Sequence, residues 1–278
     1  MIDHLMQVFP NFSSLQESFL ENEDKSAVWQ VTALGSDGKP VGSGFSRDLN
    51  TARKIAIAEF IERSFVLKLK KAGDLEGWQL DNFPTACGFA AGFDSLNTQI
   101  RSIGEALERW ALSQWLDYKC FLEEDKSVKW PKESQLLIRD FDKVSVFKKE
   151  FLYSFDQKIL SYHLCAIVGF NRAGAFVGSG INSCYEDALV HAVVEAHRHL
   201  LISKQERNFN IFPFNRIKYF SENKDVALDI LKVERNNFWK NPSLKFQRNF
   251  QSDLFCVSRT IFEGWTPWEH GAIDRMLY

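Results

Sequence analysis

The sequence predicts an α+β domain, and three observations carry that expectation. Stretches that alternate apolar and polar residues and stretches with helical periodicity follow one another along the chain. One strand-turn-helix unit recurs three times: Gly42, Gly88 and Gly178 each open a Gly-x-small run, and each stands 17 residues before a glutamate, Glu59, Glu105 and Glu195. No linker, low-complexity tract or shift in composition divides the 278 residues. They read as one domain, with residues 1–26 an N-terminal arm, 27–118 the first two repeat units, and 119–278 the third unit and the C-terminal region. At 45% apolar residues with 25 Phe, the chain can bury a substantial core.

Each element has its own warrant. Ser14 to Leu20 reads as a short helix in the arm. Ala27 to Leu34 alternates as a strand, Ser36 to Pro40 has the composition of a tight turn, and Val41 to Ser46 returns as the partner strand. The first repeat helix spans about Asn50 to Lys70. One face carries Ala52, Ile55, Ala56, Glu59, Glu62, Arg63 and Val66, while Ile57, Phe60 and Ile61 lie elsewhere, so the helix is apolar nearly all round. Its charges are then partly desolvated, which is costly unless a cation or a hydrogen-bond network meets them.

The second helix, about Ser95 to Tyr118, sorts Leu96, Ile100, Ile103, Leu107 and Trp110 onto one stripe. Arg101, Glu105, Glu108 and Arg109 fall on the other, and taken alone this is an amphipathic surface helix with i,i+4 ion pairs. Lys119 to Pro131 reads as a loop, and Lys143 to Tyr153 with Lys158 to Phe170 as a hairpin around Phe155-Asp-Gln. Ala175 to Ile181 is a strand. Tyr185 to Ser203 is the third helix, with Leu189, Val193, Ala196 and Leu200 inward and Asp187, His191, Glu195 and Arg198 on the other face. Small residues mark the inner side of all three helices: Ala52 and Ala56, Thr98 and Ser102, Ala188 and Ala192. Lys224 to Val233 reads as a short helix, Lys245 to Ile261 as one or two strands, and the tail carries Trp265 and Trp268.

With 34 basic and 36 acidic residues and a formal net charge of −2, the chain has no global field to draw nucleic acid or an anionic membrane. No apolar run reaches the roughly 20 residues that cross a bilayer, and the N-terminus lacks a signal-peptide pattern, which points to a cytoplasmic protein. Five scattered cysteines without Cys-x-x-Cys suit reduced thiols better than a disulfide frame. There is no Gly-x4-Gly-Lys-Ser/Thr phosphate loop and no complete dinucleotide turn. His191, Glu195 and His199 share a helix face, but no His-Glu-x-x-His accompanies them.

The repeat makes three helices deliver a glutamate at matching depth. Convergent carboxylates generally meet a divalent cation or basic partners, because bare like charges repel. Glu59-Phe-Ile-Glu62-Arg63 and Glu105-Ala-Leu-Glu108-Arg109, each behind a Gly-rich run and followed by a third helix with Glu195, resemble the YcaO domain family over roughly Val28 to Ser203. The resemblance implies a YcaO-like α+β fold, a mixed β-sheet with three strand-turn-helix units and helices packed on it. It also implies an ATP site with Mg2+. Glu59, Glu62, Glu105, Glu108 and Glu195 would hold magnesium and nucleotide, with Arg63 and Arg109 as structural or phosphate partners; planar guanidinium suits phosphate oxygens.

The implied activity is ATP-dependent phosphorylation of a peptide backbone amide oxygen on the way to azolines or thioamides, work that is mostly positioning and charge neutralisation. The implied partners are a peptide substrate and a leader-peptide-binding protein, and an oligomer is compatible with this. Four positions depart from the family pattern: Ser43 stands for a Lys in the first Gly-x-Gly, Ile55 for a Ser, Asn97 for an acidic residue, and His191 for an Arg. His191, one turn before Glu195, is placed to take part of that Arg's role. The alternative is a YcaO-like subunit that has lost catalysis and serves as a binding or scaffold component of a peptide-modifying complex.

Overall fold

A computed structural model of the chain describes residues 7–21, 27–80, 85–172, 174–204, 214–267 and 270–276. In chain order its elements are β1 (Phe12–Glu21), β2 (Ala27–Gly35), β3 (Pro40–Ser46), α1 (Leu49–Ala72), β4 (Phe89–Gly92), α2 (Ser95–Leu116), β5 (Glu123–Glu124) and α3 (Lys132–Ile138). They continue with β6 (Lys143–Phe155), β7 (Lys158–Phe170), β8 (Ala175–Asn182), α4 (Tyr185–Ser203), α5 (Phe214–Glu222), α6 (Lys224–Lys232), β9 (Leu244–Gln251) and β10 (Cys256–Phe262). This is the expected α+β class, but in place of one mixed sheet the described strands form three antiparallel sheets, ordered β1-β2-β3, β4-β10-β9 and β5-β6-β7-β8. By packing, the chain forms two compact units: Met1–Ala106 with Leu244–Phe262, and Leu107–Ser243 with Glu263–Tyr278. No helix among the described residues is long and apolar enough to cross a membrane.

In the first unit, the segment expected as a helix at Ser14 to Leu20 is strand β1. Phe12, Leu15 and Phe19 have helical spacing, but a bulge between Phe12 and Ser14 shifts the strand's parity. All three then share the face that Ala33, Val31 and Trp29 present on β2. Phe12 is buried and Phe19 packs on Trp29 at 4.8 Å, so pairing with β2 overrides the local period. The polar run after Leu20 lies largely outside the described residues.

Helix α1 starts where Asp48 caps the amide of Thr51 at 2.7 Å and ends at left-handed Gly73, both expected terminators. Ala52 and Ala56 are fully buried against β3. A Cβ at Gly42 would run into the Ala56 carbonyl and the Phe60 amide, so glycine there is what allows helix and strand to touch. Phe9, Phe12, Phe60, Phe65, Trp78 and Phe255 fill the core behind them.

In the second unit, β6 and β7 form the expected hairpin, and Asp156 and Gln157 both take positive φ, as a two-residue turn matched to strand twist requires. Helix α4 spans the residues the sequence marks and buries Ala188, Leu189, Ala192, Val193 and Ala196 completely. Gly178 repeats the Gly42 geometry, since a Cβ there would strike the Ala192 carbonyl and the Ala196 amide. Trp110 and Trp115 on α2 are buried beside Phe151 and Phe147. Short α3 and α5 have no counterpart in the sequence reading, and the loop expected at Lys119 to Pro131 contains β5.

The three repeats are built alike down to the connection. Two residues separate β3, β4 and β8 from α1, α2 and α4. The residue just before the helix is Asp48, Asp94 and Cys184 in turn. Asp94 accepts from the Asn97 amide at 2.7 Å, as Asp48 does from Thr51, whereas Cys184 makes no side-chain cap. In the middle repeat Gly88 differs in its reason: it has φ +72, and a Cβ there would meet the Thr260 carbonyl of β10.

Candidate functional site

In the first unit, Glu59 leaves α1 toward β3, where the Ser43 amide and hydroxyl both donate to its Oε2, at 2.6 and 3.2 Å. Its Oε1 meets the Arg63 guanidinium one turn further on. Glu62 is held differently. The Ala91 amide of β4 donates to its Oε1 at 2.9 Å, and Arg101 of α2 lies 3.6 Å from the same atom while donating to the Ala91 carbonyl at 2.8 Å. Burial pushes the Glu62 carboxyl up to about 7; Arg101 and the Ala91 amide oppose the rise, and the charges of Glu59 and Glu105 add to it. Two sequence-marked carboxylates, Glu59 and Glu105, thus lie close enough for their charges to act on a third, Glu62.

In the second unit, Glu108, Arg109 and Glu195 come together on Ser179 of β8. The Ser179 amide donates to Glu195 Oε2 at 2.6 Å, and its hydroxyl lies 2.7 Å from Glu108 Oε1 and 3.1 Å from Glu195 Oε2. Arg109 stands 3.6 Å from Glu108 and 3.9 Å from Glu195. Burial works against ionisation of Glu195, but Arg109, His199, the Ser179 amide and Arg198 outweigh it and hold the carboxyl below its ordinary value. His199 is buried with Nδ1 on the Val177 carbonyl at 2.6 Å; burial lowers its pKa against the pull of Glu195. A carbonyl only accepts, so Nδ1 carries the proton. His191 is exposed on α4 above Gly180.

The apolar stripe of α2 is buried at Ile103, Leu107 and Trp110; on the polar stripe Arg101 is exposed, but Glu108 is buried too, 4% exposed. Glu108 tolerates this because Ser179 and Arg109 meet it. Of the four departures, Ser43 clasps Glu59, Ile55 is half-buried and offers no donor, and Asn97 is exposed with its amide spent on the Asp94 cap. His191 completes the set.

Sequence reasoning missed Ser179, placed Arg101 on the polar stripe of α2 without its tie to Glu62, grouped His199 with Glu195 only as one helix face, and saw Ser43 only as a missing Lys. The repeat itself held the signal: at the spacing that carries Glu59 onto Glu195, Ser43 falls on Ser179 and Glu62-Arg63 on Arg198-His199. The third repeat thus places a cation where the first has its second carboxylate.

Among the described residues, no group of three or more His, Cys, Asp or Glu is arranged to hold a metal by itself. Magnesium does not require one, since it is bound through one or two carboxylates together with phosphate oxygens and water. The donors present are hard oxygens, and a carboxylate raised to about 7 among like charges is a place where a cation relieves repulsion. The residues fit Mg2+ carried by a polyphosphate.

No protein-family model matches the chain, and no curated protein matches it. Solved structures do. A YcaO from Methanopyrus kandleri bound with AMPPCP and Mg2+ is similar at TM-score 0.57 and 14% identity, over 95% of this chain and 88% of that one. A heterocyclase in complex with substrate and cofactor is similar at TM-score 0.57 and 10% identity, over 96% of this chain and 52% of that one. A chain of the E. coli microcin synthetase McbBCD complex with pro-MccB17 bound is similar at TM-score 0.55 and 12% identity, over 90% of this chain and 87% of that one.

Proposed function

We propose that this chain, whose fold is YcaO-like, binds ATP with Mg2+ and activates a peptide backbone amide by phosphorylating its oxygen in azoline or thioamide formation. The observation that carries the reading is Glu62, a carboxylate that burial, with the charges of Glu59 and Glu105 adding to it, raises to about 7, and which an arriving cation stabilises in its charged form. Glu59, Glu62, Glu105, Glu108 and Glu195 are the proposed magnesium and nucleotide residues, Arg63 and Arg109 the proposed phosphate or positioning cations. His191 is proposed to face a phosphate from the outer surface of α4. Neighbours that hold AMPPCP with Mg2+, and a peptide within a multi-protein complex, support ATP, magnesium, a peptide substrate and a partner protein for this chain too.

A second reading rests on Ile55, Asn97 and His191, which supply neither the hydroxyl, the carboxylate nor the fixed positive charge of the family pattern. On that reading the chain is a binding or scaffold subunit of a peptide-modifying complex. Thermal unfolding separates the two. ATP with Mg2+ at a hundredfold excess over its dissociation constant stabilises the folded state by about 2.7 kcal/mol, and Mg2+ alone stabilises it less. A melting temperature unmoved by millimolar ATP and Mg2+ removes the enzyme reading and leaves the subunit. His191→Arg, which restores a permanent cation, is expected to tighten nucleotide binding, and His191→Ala to loosen it.

A further inference from the structure

We infer that Ser179 is a positioning residue that sets two carboxylates at once, and that Ser43 positions Glu59 in the same way in the first repeat. The inference rests on the nucleotide and magnesium reading above and adds to it the groups that aim its carboxylates. Ser179 offers one amide proton and one hydroxyl proton. The amide donates to Glu195 Oε2 at 2.6 Å. The hydroxyl, 2.7 Å from Glu108 Oε1 and 3.1 Å from Glu195 Oε2, has a single hydrogen and donates along the shorter vector, to Glu108. One residue on a strand thereby fixes a carboxylate from α2 and another from α4.

The strand is itself fixed, because Gly178 and Gly180 on either side of Ser179 bring β8 against the backbone of Ala188 and Ala192. A side chain at either glycine would lift the strand and carry Ser179 away from both acids. In the first repeat Gly42 and Gly44 flank Ser43 in the same way, against Ala52 and Ala56, and Ser43 sends amide and hydroxyl to a single oxygen of Glu59. The middle repeat lacks the device. Phe89 stands at that position with no hydroxyl, and its amide donates to the Ala86 carbonyl.

Serine at these positions is thus the counterpart of the outer partners that hold metal-binding carboxylates in register, whose loss costs roughly 10–100-fold in metal affinity. A purely packing role for a 7% exposed serine predicts a loss of stability instead, without change in metal dependence.

The test uses the full chain with ADP and Mn2+ as the probe, free Mn2+ being read by electron paramagnetic resonance and metal-free ADP binding by calorimetry. For Ser179→Ala the Mn2+ dissociation constant in the presence of ADP should rise about tenfold or more, with metal-free ADP affinity unchanged. Ser179→Thr, which keeps the hydroxyl, should restore it. Equal Mn2+ affinity in wild type and Ser179→Ala, or a loss that Ser179→Thr does not restore, overturns the inference while leaving the nucleotide reading in place. Wild-type protein that takes up no Mn2+ with ADP overturns the nucleotide reading, and the positioning role falls with it. Should Ser179→Ala not fold, Ser43→Ala carries the same comparison on Glu59.

Discussion

Glu62 in the first unit and Glu195 in the second are both acids set largely inside a folded unit, with side chains 14% and 23% exposed, yet burial has opposite outcomes. Glu62 is raised to about 7, while Glu195 is held below its ordinary value. The difference lies in the company each keeps. Glu62 has Glu59 and Glu105 as neighbours and leans on a half-exposed Arg101 and one backbone amide. Glu195 has Arg109, Arg198, His199 and the Ser179 amide. The repeat explains why: where the first helix has Glu62-Arg63, the third has Arg198-His199. One scaffold with two charge patterns gives one carboxylate with like charges among its neighbours and one surrounded mainly by cationic partners.

The largest expected effect breaks the scaffold that makes the comparison possible. Gly178→Ala and Gly42→Ala each place a Cβ against helix backbone, where no flexible side-chain end can give way, and should cost roughly 3 kcal/mol of stability by urea titration. The two losses should be alike. A loss at one glycine and none at the other would show that the repeats do not share the same helix-to-strand contact.

The next effect exposes the opposite signs directly. The folded state holds the Glu62 proton more tightly than the unfolded chain, so this group's contribution is fully present below about pH 4.5 and is lost as pH rises through about 7. Glu62→Gln should therefore stabilise the ligand-free protein at pH 8 by on the order of 2 kcal/mol and leave it unchanged at pH 4. Glu195 runs the other way: its contribution is present above the unfolded value and lost as pH falls through its lowered folded value. Glu195→Gln should destabilise at pH 7 and lose that effect in acid. Paired urea melts across pH decide the matter, and matching signs for the two variants would end the comparison.

Much of this was legible beforehand, for identifiable reasons. Helix α4 and the β6–β7 hairpin could be read because their burial follows one uninterrupted period, and the glutamates because a spacing recurs. Strand β1 was not, since a bulge at Ser13 gives a strand the spacing of a helix. Ser179 was not, because it joins Glu108 across 71 residues of sequence and no local pattern records that contact. Nor was the burial of Glu108, since periodicity sorts polar from apolar without saying which polar face another strand will cover.

The smallest expected effect tests the partners one at a time. Arg101 is the leading group that lowers Glu62, and Arg109 the leading group that lowers Glu195. The side chain of Arg101 is 51% exposed and that of Arg109 20%, so water and salt screen the first more than the second. Arg101→Gln should then move the Glu62 titration upward by only a few tenths of a pH unit, the modest size of an exposed ion pair. Part of that shift comes from the lost bond to the Ala91 carbonyl, which steadies the strand whose amide reaches Glu62. Arg109→Gln should move Glu195 upward by more, because a less hydrated charge acts through a lower effective dielectric. Carbon-13 labelled glutamate carboxyls, followed by NMR through pH in both variants, report the two shifts on one scale. If Glu62 moves further than Glu195, exposure of the partner is not what separates the two regions, and the raised value of Glu62 must be credited to its burial, with Glu59 and Glu105 adding to it, rather than to a weak partner.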